Sequence, residues 1–239
     1  MSIAENVSAI RRQIDQAAAL CGRDPKSILL CAATKMNSAD AVRQAIAAGV
    51  DCCGENRVQE LTEKLRQHAY DGAPVHFIGH LQTNKVRQVV GKVALIQSVD
   101  SLRLLEAIDR EAARQGIRQD ILLEVNIGKE PSKTGFQEWE ILPLTEKMGQ
   151  FSNVCMKGLM AIPPISHYSE ENLKFFQKMF QLSVDIKGKI NDNVRADCLS
   201  MGMSGDFADA IKAGSTMVRI GTGIFGARNY ALDTSKKEK

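Results

Sequence analysis

The stretch ILLCAATKMNSADAV, residues 28–42, joins a run of apolar and small residues to a helical pattern, with Lys35 at the junction. The run is apolar almost throughout rather than alternating, which is the pattern of a strand in a parallel sheet covered on both faces. Ser38 then has the character of a helix N-cap, and Gly49 of the matching C-terminal stop. Lys35 stands out in this company, because removing an ammonium from water costs several kcal/mol unless the charge is compensated or the pKa falls.

The same strand-then-helix unit repeats along the chain. Strand-like runs fall at 28–34, 51–54, 75–79, 93–99, 120–127, 154–162, 197–201 and 216–221, eight in all. Between them lie helical patterns at 38–49, 57–69, 83–90, 101–116 and 170–187, the last placing Leu173, Phe176, Phe180 and Val184 on one face. A further helical stretch, EWEILPLTEKMG, contains Pro143, which is expected to break it or confine regular helix to the residues after the proline. Ahead of the first strand, Ile3, Val7, Ile10, Ile14 and Ala18 form one helical stripe ending at Gly22, predicting an extra N-terminal helix over about 2–21.

Eight apolar strands with intervening helices in 239 residues predict an α/β fold of the (β/α)8 TIM barrel type, for which roughly 250 residues are typical. An open doubly wound sheet is the structural alternative. The barrel uses the whole chain, 1–239, as a single domain, with a short basic tail at about 233–239 expected to be solvated.

Composition narrows the function classes. A net charge of +3 with acids and bases interspersed gives no footprint for nucleic acid or a membrane surface. No run approaches the roughly 18 apolar residues of a membrane span, and Glu5 interrupts what would be the apolar core of a signal peptide. The six cysteines form no CxxC pair and have no zinc-ligand spacing with the four histidines, so they read as small hydrophobes in a reducing cytoplasm.

In such barrels the chemistry sits at the C-terminal ends of the strands. Those ends carry Lys35, Glu55 and Asn56, His80, Asp100, Asn126, Ser200 with Ser204 just beyond, and Arg219. After the last strand, Gly221, Thr222, Gly223 and Gly226 form a small-residue turn that lets backbone N–H groups approach an anion, at the start of a short helix where phosphate sites recur. Ser204 is expected to cap the helix that precedes this turn and also to reach a phosphate there. A lysine in a low-dielectric mouth beside a cation such as Arg219 is expected to have a depressed pKa, so that its neutral amine attacks carbonyls to form Schiff bases. An anion cradle and a Schiff-base lysine at one mouth call for a ligand with both a carbonyl and a phosphate: pyridoxal 5'-phosphate is one, a sugar phosphate another.

The segments ATK (33–35), GENRVQE (54–60), HFIGHLQTNK (76–85), VNIGKEPSKTGF (125–136), GLMAIPP (158–164), LSMGMSGDF (199–207) and STMVRIGTGIFGAR (215–228) resemble, in order, the YggS-type pyridoxal phosphate homeostasis proteins. That family is similar in fold to the barrel domain of alanine racemase, the type III fold of pyridoxal phosphate enzymes, without its C-terminal β-domain. The resemblance implies that Lys35 forms an internal aldimine with the cofactor. It implies that Ser204, Gly221 and Thr222 hold the phosphate, that Arg219 faces the pyridine nitrogen, and that Asn56, Ser200 and Met201 line the ring pocket. One departure is Arg57, where the family frequently has tyrosine.

A guanidinium at the pyridine nitrogen keeps that nitrogen unprotonated and weakens the ring as an electron sink, and racemisation needs a second acid/base that alanine racemase takes from its β-domain. The expectation is therefore a non-catalytic monomer that holds pyridoxal phosphate and passes it to apo-enzymes. A small racemase or a Schiff-base aldolase acting on a sugar phosphate is the enzymatic alternative. Lys133, in the loop GKEPSKTGF, reads either as a solvated lysine or as an aid to cofactor entry or transfer.

Overall fold

A computed structural model of the chain describes residues 1–131, 133–164, 169–189 and 192–226; the basic tail expected at 233–239 lies outside them. Eight parallel strands close into a barrel in sequential order. They are β1 (Leu29–Ala33), β2 (Cys52–Glu55), β3 (Val75–Phe77), β4 (Leu95–Val99), β5 (Gln119–Val125), β6 (Val154–Ala161), β7 (Val194–Ser200) and β8 (Met217–Ile220). The helices are α1 (Ile3–Leu20), α2 (Ala39–Ala47), α3 (Val58–Arg66), α4 (Leu102–Gln115), α5 (Glu138–Lys147), α6 (Ser169–Lys187), α7 (Phe207–Lys212) and α8 (Thr222–Phe225). This is the TIM barrel, and the open-sheet alternative is excluded by the pairing of β8 back onto β1.

Caps set the helix starts. Ser2 and Glu5 form a capping box on α1, while Ser38 and Ser101 accept from Ala41 N and Leu104 N at the starts of α2 and α4. The buried stripe Val7, Ile10, Ile14, Ala17 and Ala18 lays α1 against α7 and α8. The main core lies between the strands and the surrounding helices, and a smaller cluster of Cys31, Cys52, Leu95, Leu122, Met160 and Met217 occupies the barrel axis.

Strand alternation decides which residue enters which layer: Leu30 and Ala32 join the outer core, Cys31 the axial cluster. Gly54 also belongs to the axis. A Cβ there would lie 2.7 Å from Ile78 Cδ1 and 2.9 Å from Cys31 Sγ. Gly54→Ala is therefore expected to overpack the barrel interior and cost about 1–3 kcal/mol, read from the urea midpoint at unchanged slope.

Three local expectations are corrected. Residues 83–90 do not form an α-helix: Thr83–Gln88 is a 3-10 turn with no side-chain cap. Pro143 does not break α5, where it is an internal residue. Its missing N–H removes one bond, to the carbonyl of Trp139, close to the Gln137–Glu140 capping box that secures the helix start. The buried face of α6 is rotated from the one expected. Phe176 is buried, but Phe180 and Val184 are 43% and 40% exposed, and Met179, Leu182, Ser183 and Ile186 face inward instead. Apolar residues on more than one face of this helix left the periodicity ambiguous, and the Ser183 hydroxyl enters the core by donating to Phe180 O at 2.7 Å.

Candidate functional site

Lys35 lies two residues beyond β1, half-buried, in the turn that carries the chain out of the sheet. Ala32 pairs with Ile220, so the lysine turn and the glycine turn leave the same rim from neighbouring strands. The Cβ of Ala33 lies 3.5 Å from a Cβ built on Gly221. Across that rim, Ser204 Oγ accepts from Gly223 N at 3.3 Å, tying the loop after β7 to the turn after β8. Ser204 is not the N-cap of α7, as its position in the sequence suggested; Asp206 occupies that place, and its carboxylate accepts from Met203 N at 2.6 Å.

Arg219 is a residue of β8 itself, in register with Cys31, and its side chain runs into the barrel, 4% exposed. It donates to Ser200 Oγ at 2.6 Å and to Ala161 O at 2.9 Å. Burial lowers its pKa, opposed by Cys31, Glu124 and Asp206. Because a guanidinium only donates, it fixes the direction of the hydrogen bonds beyond Ser200. Ser200 donates its own hydroxyl hydrogen bond to Gln97 Oε1 at 2.7 Å, which leaves the Gln97 amide N–H groups aimed at His76 Nδ1 at 2.9 Å and at Met217 Sδ at 3.1 Å.

His76 is thereby held neutral, and burial pulls its pKa down to about 4. The unfolded chain takes up a proton near the ordinary histidine value while the folded one does not, so the contribution of His76 to stability is present above that value. It is lost as pH falls from about 6.5 to about 4, amounting to up to about 3 kcal/mol. Unfolding titrations should show this acid-side loss in the wild type and a shallower one in His76→Gln. His76, Cys31 and Cys52 also place three ligand-type atoms within 4.8 Å of one another. The imidazole nitrogen on the Gln97 side is engaged as an acceptor, and Cys31 and burial hold the Cys52 thiol well above its ordinary pKa.

Around the rim, Asn56 follows β2, and its side-chain Oδ1 is buried with no hydrogen-bond partner. An unsatisfied buried acceptor costs about 1–3 kcal/mol and marks a place for a ligand donor. Glu124 on β5 faces Arg219 and Asp100, and burial pushes its carboxyl up to about 7. His80 Nδ1 meets Asp100 Oδ2 at 2.9 Å. Asn126 does not enter the mouth; it holds the loop after β5 through Glu130 O and Lys133 O. Lys133 donates to Pro163 O at 3.2 Å and pairs with Glu130 at 2.5 Å, bridging the loops after β5 and β6. Met201 is fully buried in the main core.

The geometry thus gathers Lys35, Asn56, Ser200, Ser204, Arg219, Gly221 and Thr222 around one end of the barrel and sets Met201 behind it. Gln97, His76 and Glu124 join this candidate site through Ser200 and Arg219 and were not singled out by the sequence alone. Each is a polar residue inside a mostly apolar strand run, an anomaly of the kind that marks Lys35 at the end of its run.

Residues 5–229 match the sequence profile of the alanine racemase N-terminal domain. The pyridoxal phosphate homeostasis protein of Haemophilus influenzae is 37% identical over 238 residues, covering 99% of this chain and 100% of that protein. The chain belongs to this family. The pyridoxal phosphate homeostasis protein of Escherichia coli is 39% identical over 233 residues, with 96% and 98% covered. Among solved structures, PipY of Synechococcus elongatus with pyridoxal phosphate bound superposes with a TM-score of 0.81 at 31% identity, covering 94% of this chain and 100% of that one. A protein from Bifidobacterium adolescentis superposes with a TM-score of 0.88 at 36% identity, covering 93% and 94%. Among the described residues, no helix is long and apolar enough to cross a membrane.

The rim residues of this family member fit a phosphorylated aldehyde. One lysine amine, a glycine turn with two hydroxyls beside it, a buried guanidinium and an unsatisfied acceptor at Asn56 supply groups for a carbonyl, a phosphate and a polar ring.

Proposed function

We propose that this chain is a pyridoxal 5'-phosphate-binding homeostasis protein that holds the cofactor on Lys35 as a Schiff base. The observation that carries this reading is the departure of Lys35 and the Gly221–Thr222–Gly223 turn from the same rim on paired strands. The relatives named for pyridoxal phosphate homeostasis and the liganded PipY structure support it. When bound, the cofactor supplies an aldehyde carbon and a phosphate.

In this reading Ser204 and Thr222 donate hydroxyl hydrogen bonds to the phosphate, and Gly221 lets the backbone approach it. Asn56 and Ser200 border the ring, and Met201 backs the pocket. Arg219 faces the ring nitrogen with a guanidinium already oriented by Ser200 and Ala161 O, so it arrives in place without reorganisation. A permanent cation there keeps the ring nitrogen unprotonated and leaves carbanion chemistry weakly supported, which favours retention and hand-over to apo-enzymes above catalysis. The setting is a monomer in the cytoplasm.

The reading is tested by incubating the purified protein with pyridoxal phosphate, removing excess and recording the spectrum, then offering a pyridoxal phosphate-dependent apo-enzyme and monitoring its activation. A stable visible band that declines as the apo-enzyme gains activity is expected. A colourless protein, or one that turns over amino acids or sugar phosphates at enzyme-like rates, overturns it.

A further inference from the structure

Glu60 and Lys64 are four residues apart on α3, with the acid N-terminal, the favourable order for an i,i+4 pair. Here the pair is not a surface ornament. The Lys64 side chain is 7% exposed and reaches Glu55 Oε2 at 2.6 Å, itself at 0%, and Glu60 Oε2 at 3.3 Å. Tyr70 Oη donates to the same Glu55 oxygen at 3.1 Å, and Thr34 Oγ1 lies 3.1 Å from it. Burying such a pair gives little net stability, since well-packed apolar residues of similar volume serve a fold as well. Its presence calls for another reason.

That reason is where its remaining bonds go. Lys64 Nζ donates to Thr34 O at 2.8 Å, the carbonyl of the peptide bond that enters Lys35. Glu60 Oε2 accepts from Met36 N at 2.6 Å, the N–H of the peptide bond that leaves it. One ion-pair cluster therefore clamps the backbone on both sides of the lysine. Met36 has φ of 62°, a left-handed conformation that an unbranched non-glycine residue adopts only when its surroundings impose it. The Glu60 carboxylate is the group that receives the N–H so presented.

We propose that Lys64, Glu55 and Glu60 form a positioning unit that aims Lys35 at the mouth, so that the amine is oriented before any ligand arrives. The inference rests on the reading of Lys35 as the anchoring lysine, yet its physical content, an ordered turn in the ligand-free protein, is measurable by itself.

Three variants test it: Glu60→Leu, which removes the acceptor; Glu60→Gln, which keeps an acceptor oxygen; and Lys64→Met with Glu55→Gln, which removes both buried charges together. Amide exchange in the ligand-free protein should show loss of protection at Met36 in Glu60→Leu and in the double variant, with Glu60→Gln close to wild type. Reductive methylation of Lys35 in the ligand-free protein, read by peptide mapping, should change in rate in the same two variants. Pyridoxal phosphate affinity should fall about tenfold to a hundredfold in them, the scale expected when a reacting group loses its orientation. Wild-type exchange, labelling and affinity in Glu60→Leu and the double variant would overturn the proposal. A wild-type protein with no borohydride-fixed adduct on Lys35 would instead refute the anchoring role while exchange and labelling still decide the positioning.

Discussion

Lys35→Ala is expected to leave the barrel folded and to abolish retention of pyridoxal phosphate through gel filtration. The side chain is half-buried in a turn beyond β1, outside both the axial cluster and the main core, so its truncation should cost about 1 kcal/mol or less. What disappears is the nucleophilic amine at the rim shared by β1 and β8. Ser204, Thr222, Arg219 and the glycine turn would remain to hold a phosphate and a ring without a bond to the aldehyde carbon. The expected weakening is about a hundredfold or more, equivalent to about 2.7 kcal/mol, measured by fluorescence titration alongside a urea unfolding curve. Wild-type retention with a wild-type spectrum would transfer the anchoring role to another residue.

The largest loss of stability is expected from Lys64→Ala. Truncating Lys64 strands the Glu55 carboxylate at 0% exposure beside Tyr70 and Thr34 and leaves Thr34 O with Asn37 N as its remaining donor. Breaking a buried pair from one side costs about 3–5 kcal/mol, a large share of the roughly 5–15 kcal/mol that holds a domain together. Removing both charges, in Lys64→Met with Glu55→Gln, should recover most of it. The comparison separates what the pair does for folding from what it does for the Lys35 turn. A loss below about 1 kcal/mol in Lys64→Ala would mean that water reaches Glu55 and screens it.

The barrel was legible because parallel strands buried on both faces have to be apolar almost throughout, and runs such as ILLCAAT and VALIQSV have no other economical reading. The rim was legible for the same reason in reverse: Lys35 ends such a run, and Gly221 to Gly223 follow another. Strand ends alone misplaced two residues. Glu55 is a strand residue whose carboxylate turns to Lys64, because a side chain one position away on a strand faces the opposite side, and Asn126, one residue past β5, holds its own loop. The relay from Arg219 through Ser200 and Gln97 to His76 joins residues as far apart as 76 and 219, a proximity that only barrel closure creates. Glu60 and Lys64 stand at i,i+4 spacing, but the proposed clamp on Lys35 was not read from the sequence. Nothing in a helical period distinguishes a surface pair from one folded under a neighbouring turn.

The proposed function turns on the chemistry of one amine. Purified protein incubated with pyridoxal phosphate, reduced with borohydride, digested and mapped by mass spectrometry should carry a single phosphopyridoxyl group on Lys35. The same treatment of Lys35→Ala should leave every lysine unmodified at equal cofactor concentration. An adduct on Lys64, on Lys133 or spread over surface lysines, with Lys35 intact, would contradict the assignment of Lys35 as the anchor.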